Sequence, residues 1–245
     1  MLTQLPDRAS AGAPSHSPLI IPGSAGLGSF PAAGTGQTLD HGAMSNHRYQ
    51  IRRAERADMP AILDLIGSAA KWLHAYKDTD QWARPWPDEA SRDARVEQGI
   101  KDGLTWIAED SPGALAATVT CREHGNDMLW TPDEQAEPAV YVSRLIVSRE
   151  LAGHGVGAAL IDWAGVLGIE LWHARWIRVD VWTTNFALHD YYKSHGFEYL
   201  RTLQFEDYWE YPSAALFQKP TAGVDMDAAG WFELAKEAGS AAGMN

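Results

Sequence analysis

Residues 139–171 read AVYVSRLIVSRELAGHGVGAALIDWAGVLGIEL. The run Ala139–Val147 is almost wholly apolar and reads as a strand that ends at Val147. A short connection leads into the turn Gly153-His154-Gly155-Val156-Gly157, and a helix is predicted from about Gly155 to Leu171. Val156, Ala159, Leu160, Trp163, Ala164, Leu167 and Leu171 recur three and four residues apart, which gives that helix one buried face. Trp176–Trp182 alternates apolar and polar residues and reads as a second strand. A strand, a helix and a strand in this order form a crossover, and a crossover joins parallel strands. The unit points to an α/β arrangement with two parallel strands joined through a helix.

Working outward, a helix from Asn185 or Phe186 to His195 ends at Gly196, a natural residue for the turn past a helix C-terminus. Strands near Phe197–Phe205 and Ser213–Gln218 follow. Upstream, Tyr49–Ala54 reads as a strand, and Asp58 caps a helix that tolerates Pro60 in its first turn. Met59, Ile62, Leu63, Ile66, Ala70 and Leu73 lie at helical spacing on that helix. Trp72, Trp82 and Trp86 come next, interrupted by Pro85 and Pro87, and a second helix covers Asp88–Ile100. Strands are predicted at Leu104–Glu109 and Ala114–Cys121 around a Ser-Pro-Gly turn, then a loop or mobile hairpin over residues 123–138. The chain thus divides into a Gly/Pro/Ser/Ala-rich arm (residues 1–46), a folded domain (47–219) and a Gly/Ala-rich tail (220–245) with a weak helix around Ala228–Ala238. The arm has the composition of disorder. Its Gly23-Ser24-Ala25-Gly26-Leu27-Gly28 lacks a flanking strand and helix and reads as linker. Met44 stands just before the first ordered pattern, so translation from Met44 is an alternative to Met1; the intact mass of the native protein decides it.

Composition excludes several classes. Among 245 residues, Lys and Arg number 20 against 32 Asp and Glu, a formal charge of −12, with no basic cluster of the kind that binds nucleic acid. The single cysteine, Cys121, allows neither an internal disulfide nor a cysteine zinc site, which suits a reducing cytoplasm. No apolar run approaches the ~18 residues of a membrane span, and the N-terminus lacks the basic and apolar regions of a secretory signal.

The glycine turn carries the first chemical signal. A helix start presents unpaired N–H groups and a partial positive charge, and glycines let a phosphate approach the backbone closely. Gly153, Gly155 and Gly157 therefore suit a phosphate or pyrophosphate, although such a cluster also occurs in plain turns. The dinucleotide pattern needs a further glycine where this chain has Ala159 and Leu160, and the Gly-Lys-Ser/Thr of a P-loop is absent. A reductase would also need an acid after the second strand, where Thr183-Thr184-Asn185 stands.

Taken together, these segments resemble the GNAT superfamily of acyl-CoA-dependent N-acyltransferases. Its first pattern is a strand, then Gln/Arg-x-x-Gly-x-Gly/Ala, then a helix; Gly155 and Gly157 match, whereas Ala152 stands where Gln or Arg is usual. Its second is Asn, Tyr seven residues later, then Gly-Phe, matched by Asn185, Tyr192, Gly196 and Phe197. The opening strand and helix are also similar, so the resemblance spans about residues 48–218.

The resemblance implies a mixed α/β fold with a central twisted mixed sheet and flanking helices, in which parallel strands 139–147 and 176–182 splay apart, and that the pantetheine arm of acetyl-CoA, the acyl donor, pairs with backbone groups of Leu145, Ile146 and Val147. It implies further that the pyrophosphate sits on N–H groups of His154, Gly155, Val156, Gly157 and Ala158, that Asn185 contacts the cofactor arm, and that Tyr192 protonates the leaving thiolate. The reaction implied is direct transfer, in a ternary complex, to an amine of a small molecule or a protein. No metal is called for, and a homodimer is compatible with the pattern. The base is left open between Asp180, Glu109 and an ordered water, because Tyr141 occupies the position where some members carry Glu. Asp180 shares a strand face with Arg178 and Trp182, which also suits a surface ion pair. Trp72, Trp82 and Trp86, with Asp78 and Asp80, read either as lid and core packing or as an acceptor pocket for a cationic amine. Cys121 reads as a small core residue. The alternative to an enzyme is a non-catalytic module that binds or senses acyl-CoA, favoured by Ala152 and Tyr141 and opposed by Asn185 and Tyr192.

Overall fold

The structure, a computed structural model, describes residues 48–77, 79, 81, 85–111, 113–205 and 211–235. The arm with its glycine cluster and Met44, and also Asp78, Asp80 and Trp82, lie outside the described residues. Among those described, eight strands form one mixed sheet: β1 (Tyr49–Arg53), β2 (Thr105–Ser111), β3 (Ala114–Arg122), β4 (Ala139–Val147), β5 (Trp176–Val181), β6 (Glu198–Thr202), β7 (Ala215–Pro220) and β8 (Phe232–Leu234). Their spatial order is β6-β7-β5-β4-β3-β2-β1-β8. The helices are α1 (Met59–Tyr76), α2 (Glu89–Lys101), α3 (Pro132–Ala136), α4 (Val156–Trp172), α5 (Phe186–Ser194) and α6 (Met226–Ala229).

The two faces of the sheet carry separate cores. On one, Val156, Ala159, Leu160 and Ala164 of α4 and Leu188 and Tyr192 of α5 pack against Val119, Val140, Val142, Val179 and Phe217. On the other, Ile62, Ile66, Ala69 and Leu73 of α1 and Val96 and Ile100 of α2 pack on Ile107 and Ile146. β4 is buried at all nine positions, as its near-continuous apolar sequence requires of a strand covered on both faces. Gly168 shows how closely α4 lies on it: a Cβ there would stand 2.6 Å from the Cβ of Val140. Gly168→Ala is therefore expected to destabilise the fold by roughly 1–3 kcal/mol in chemical denaturation. An unchanged midpoint would mean that α4 can rise off the sheet freely.

The crossover is parallel, and the two strands part early. β4 pairs with β5 only at Ala139↔Trp176, Val140↔Ile177 and Tyr141↔Arg178. Beyond Tyr141, β4 continues along β3 to Val147↔Ala117, while β5 continues along β7 to Val181↔Ala215. The divergence coincides with a bulge. Ser143 opposes Thr120 and Ile146 opposes Thr118, so Arg144 and Leu145 share one place in the ladder, and Arg144 has φ +47°. A bulge bends its strand and increases the local twist, which directs this end of β4 away from β5.

Three segments differ from the sequence reading. Residues 123–138 include α3, whose Thr131 side chain caps the helix, and they bury Leu129 and Trp130. Asp58 stands before α1, but its carboxylate serves the Glu55 N–H at 2.7 Å and Arg52 rather than the helix start. Among the described residues, the tail's helix is α6, and the chain then runs on as β8, parallel to β1 at Tyr49↔Phe232. Phe232 stacks on Tyr49 with centroids 5.5 Å apart, and Leu234 lies opposite Ile51, so this tail strand joins the sheet through apolar pairs.

Candidate active site

A cavity of about 590 Å³ opens where the end of β4, the glycine turn and α5 meet. Val147 lines it from β4, and Leu151, Ala152 and Gly153 line it from the turn. Gly155, Val156, Gly157 and Ala158 contribute from the start of α4. Ala187, Asp190, Tyr191, Ser194 and His195 line it from α5, at the three-and-four spacing of one helical face. Gly153 and Gly155 have φ of +82° and +79°, which glycine adopts without a Cβ penalty. Gly155 is the N-cap of α4, and neither a capping side chain nor an acidic first-turn residue satisfies that helix start. The first N–H groups and the positive end of the helix dipole are therefore left for an anion.

The residues expected to hold a cofactor divide into three groups. Val147, Gly155, Val156, Gly157 and Ala158 line the cavity. Leu145 and Ile146 are fully buried beside it, on the stretch of β4 that has no β5 partner. His154 and Asn185 are engaged elsewhere. The His154 N–H donates to the Leu151 carbonyl at 3.3 Å. Asn185 caps α5 by accepting the Leu188 N–H at 3.0 Å and donates to Gln81 at 2.5 Å.

Tyr192 is wholly buried on α5, its ring packed between Tyr191, Phe197 and Phe217. Its hydroxyl has no hydrogen-bond partner among the described residues. Burial, then the neighbouring Tyr191 and Asp180, push its pKa well above the usual phenol value, so it keeps its proton through the neutral range.

Asp180 lies on the opposite face, with α2. It is buried and accepts a hydrogen bond from the Tyr211 hydroxyl at 3.3 Å, so it is not the surface ion pair its strand position suggested. Burial pushes its carboxyl up to about 7, against the pull of Tyr211, Arg122 and Arg144. Because the folded value lies above that of an unfolded aspartate, this group contributes stability below about pH 4 and loses it as pH rises through 7. Asp180→Asn is expected to raise unfolding free energy at pH 8 by on the order of 2 kcal/mol and to change little at pH 4. Equal shifts at both pH values in urea melts would contradict this account. Glu109 is held by Arg52 at 3.0 Å.

Trp72 and Trp86 pack in different clusters, on α1 with α2 and beside Tyr211 respectively. Trp72 is covered by Arg149, 3.7 Å from its ring centroid, and by Lys77 at 5.3 Å. Trp86 meets Tyr211 edge-on at 5.1 Å, and Arg95 lies 5.7 Å over its ring, so Trp86 and Asp180 are linked through Tyr211. Cys121 is fully buried, and burial raises its thiol to about 12. Arg144, Tyr211 and the cavity face of α5 belong to no motif. Arg144 alone left a signal, as a charge inside an otherwise apolar strand. Among the described residues, no helix is long and apolar enough to cross a membrane.

The sequence profile of the acetyltransferase (GNAT) family matches residues 70–197. YesJ of Bacillus subtilis (strain 168), described as an uncharacterized N-acetyltransferase, is 28% identical over 145 residues, which make up 58% of this chain and 78% of that protein. A GNAT-family acetyltransferase from Listeria monocytogenes 4b F2365 shares the fold with a TM-score of 0.57 at 28% identity, covering 70% of this chain and 94% of its own. The PaiA N-acetyltransferase of Thermoplasma acidophilum, solved in complex with coenzyme A, gives a TM-score of 0.53 at 15% identity over 70% of this chain and 98% of its own, a likeness of fold.

Proposed function

The chain belongs to the GNAT family of acyl-CoA-dependent N-acetyltransferases, and from that premise we propose that it transfers an acetyl group from acetyl-CoA directly to the amine of a small molecule or protein. The observation that carries this reading is the cavity bounded by the uncapped start of α4 and the end of β4. Its glycines leave N–H groups for a pyrophosphate at Gly155, Val156, Gly157 and Ala158. The backbone of Leu145, Ile146 and Val147, released from β5, offers pairing groups to the amides of the pantetheine arm. With Ala152 in place of a longer polar side chain, the cradle is made mainly of backbone.

Acetyl-CoA supplies the activated acyl group; the chain supplies position and protons. The amine nitrogen bonds to the acyl carbon as the carbon–sulfur bond breaks. Asp180, poised near neutrality, accepts the amine proton, and the Tyr192 hydroxyl gives its proton to the departing sulfur. The His154 N–H is satisfied within the turn, and Asn185 acts through the cap that fixes the start of the helix bearing Tyr192. The test is amine-dependent release of free thiol from acetyl-CoA, one thiol per acetylated amine. Coenzyme A binding without thiol release on any amine would favour the sensing module instead.

A further inference from the structure

We infer that the acceptor is an amine that also carries a carboxylate, and that the Arg144 guanidinium receives that carboxylate on the α2 side of the splay. This rests on the acetyl-transfer reading and narrows its substrate class.

Arg122, Arg144 and Arg178 are buried on three adjacent central strands, and Arg178 and Arg144 differ in how their guanidinium groups are met. Arg178, 1% exposed, meets the Glu137 carboxylate, the Glu134 carbonyl, the Tyr141 hydroxyl at 3.0 Å and Gln218 at 3.4 Å. Arg144 is 2% exposed, and its Nε, Nη1 and Nη2 have no hydrogen-bond partner among the described residues. A buried guanidinium with nothing to donate to is strongly unfavourable, far more so than a paired one. Its cation persists, because guanidinium does not give up its proton in proteins. The backbone is committed to this placement as well, since Arg144 occupies the bulge at φ +47°, in a region few non-glycine residues adopt.

Two further guanidinium groups lie in the same region. Arg144 Nη1 and Arg122 Nη2 lie 3.6 and 3.7 Å from where a Cβ on Gly99 would be, so two guanidinium groups converge over the glycine of α2. Arg95 is one turn earlier on the same helix and donates to the Trp86 carbonyl. Among the described residues, Asp102 acts on Arg122 and Asp88 on Arg95, while Asp180 acts on Arg122 and Arg144 and accepts a hydrogen bond from Tyr211. A polyamine would bring like charge to these arginines. An amino acid complements the group at both ends, with its nitrogen toward Asp180 and its carboxylate on the fork of Arg144. The overall negative charge of the chain does not oppose this, because the interaction is set by the nearest charges.

The experiment uses acetyl-CoA, the twenty L-amino acids, β-alanine and 4-aminobutyrate, each compared with the same amine lacking its carboxylate, with free thiol as the readout. For the preferred acceptor, kcat/KM is expected to exceed that of the decarboxylated partner by about 100-fold or more. Arg144→Met is expected to reduce that ratio to within about tenfold, chiefly by raising KM, and Arg144→Lys to recover part of it. Circular dichroism melts establish that both variants are folded. Decarboxylated amines that match or exceed their partners throughout, or a ratio that survives Arg144→Met, would overturn the inference and leave acetyl transfer standing. If no amine releases thiol, acetyl transfer falls, and calorimetry of the same panel on the coenzyme A-saturated protein decides the remainder. Carboxylate-dependent binding that Arg144→Met abolishes supports the Arg144 site; no such binding overturns it.

Discussion

Replacing Tyr192 with phenylalanine is expected to lower kcat by about 10²–10⁴-fold, with little change in coenzyme A affinity. The hydroxyl does nothing for stability. It is wholly buried and has no hydrogen-bond partner among the described residues, whereas the ring is packed between three aromatic neighbours. A buried hydroxyl without a partner is a cost to the fold, so Tyr192→Phe is expected to keep or raise the thermal midpoint. Loss of turnover without loss of stability separates a proton donor from a packing residue. Burial holds the phenol protonated at neutral pH, as a donor requires. Thiol release measured from pH 6 to 9 checks it: a kcat that matches the parent protein at every pH would remove Tyr192 from the mechanism.

The second large effect is expected at the glycine turn. Gly155→Asp puts a carboxylate where the pyrophosphate is proposed to sit. Two like charges about 5 Å apart at an effective dielectric constant near 20 repel by about 3 kcal/mol, which weakens coenzyme A binding by roughly 100-fold. The fold is expected to tolerate the change. Aspartate is among the residues least penalised at the φ of +79° found here, and a carboxylate at a helix start is favourable to the dipole. The nearest atom to the new Cβ is on the Trp231 ring at 3.6 Å, an ordinary contact. Calorimetry with coenzyme A is therefore expected to show a large loss, and a melt without ligand a smaller one of about 1–2 kcal/mol, the strain of a non-glycine residue at positive φ. A dissociation constant within threefold of the parent value would mean that this helix start does not carry the phosphates.

The elements were legible where one helix or strand determines its own pattern. The apolar run of β4, the helical spacing of α4 and the alternation of β5 each follow from local burial, and the crossover rule makes β4 and β5 parallel. The glycine turn was legible for the same reason, since positive φ and an uncapped helix start are local properties. α3 was not, because a five-residue helix held by one capping box has too short a period to detect. β8 was not either: three residues become a strand only because the edge of β1 is there to pair with them.

By itself, the sequence determined the class of fold, the order of its central elements and the uncapped glycine turn at the start of α4. The tertiary structure decided which side chains share a site. It separated Trp72 from Trp86, brought Tyr211 to Asp180 across 31 residues of chain, and gathered Arg122 and Arg144 over Gly99. Secondary structure is set by neighbours three or four residues away and can be read along the chain. The charge balance of a buried site is set by groups from different strands and helices, and it exists only once they have packed together.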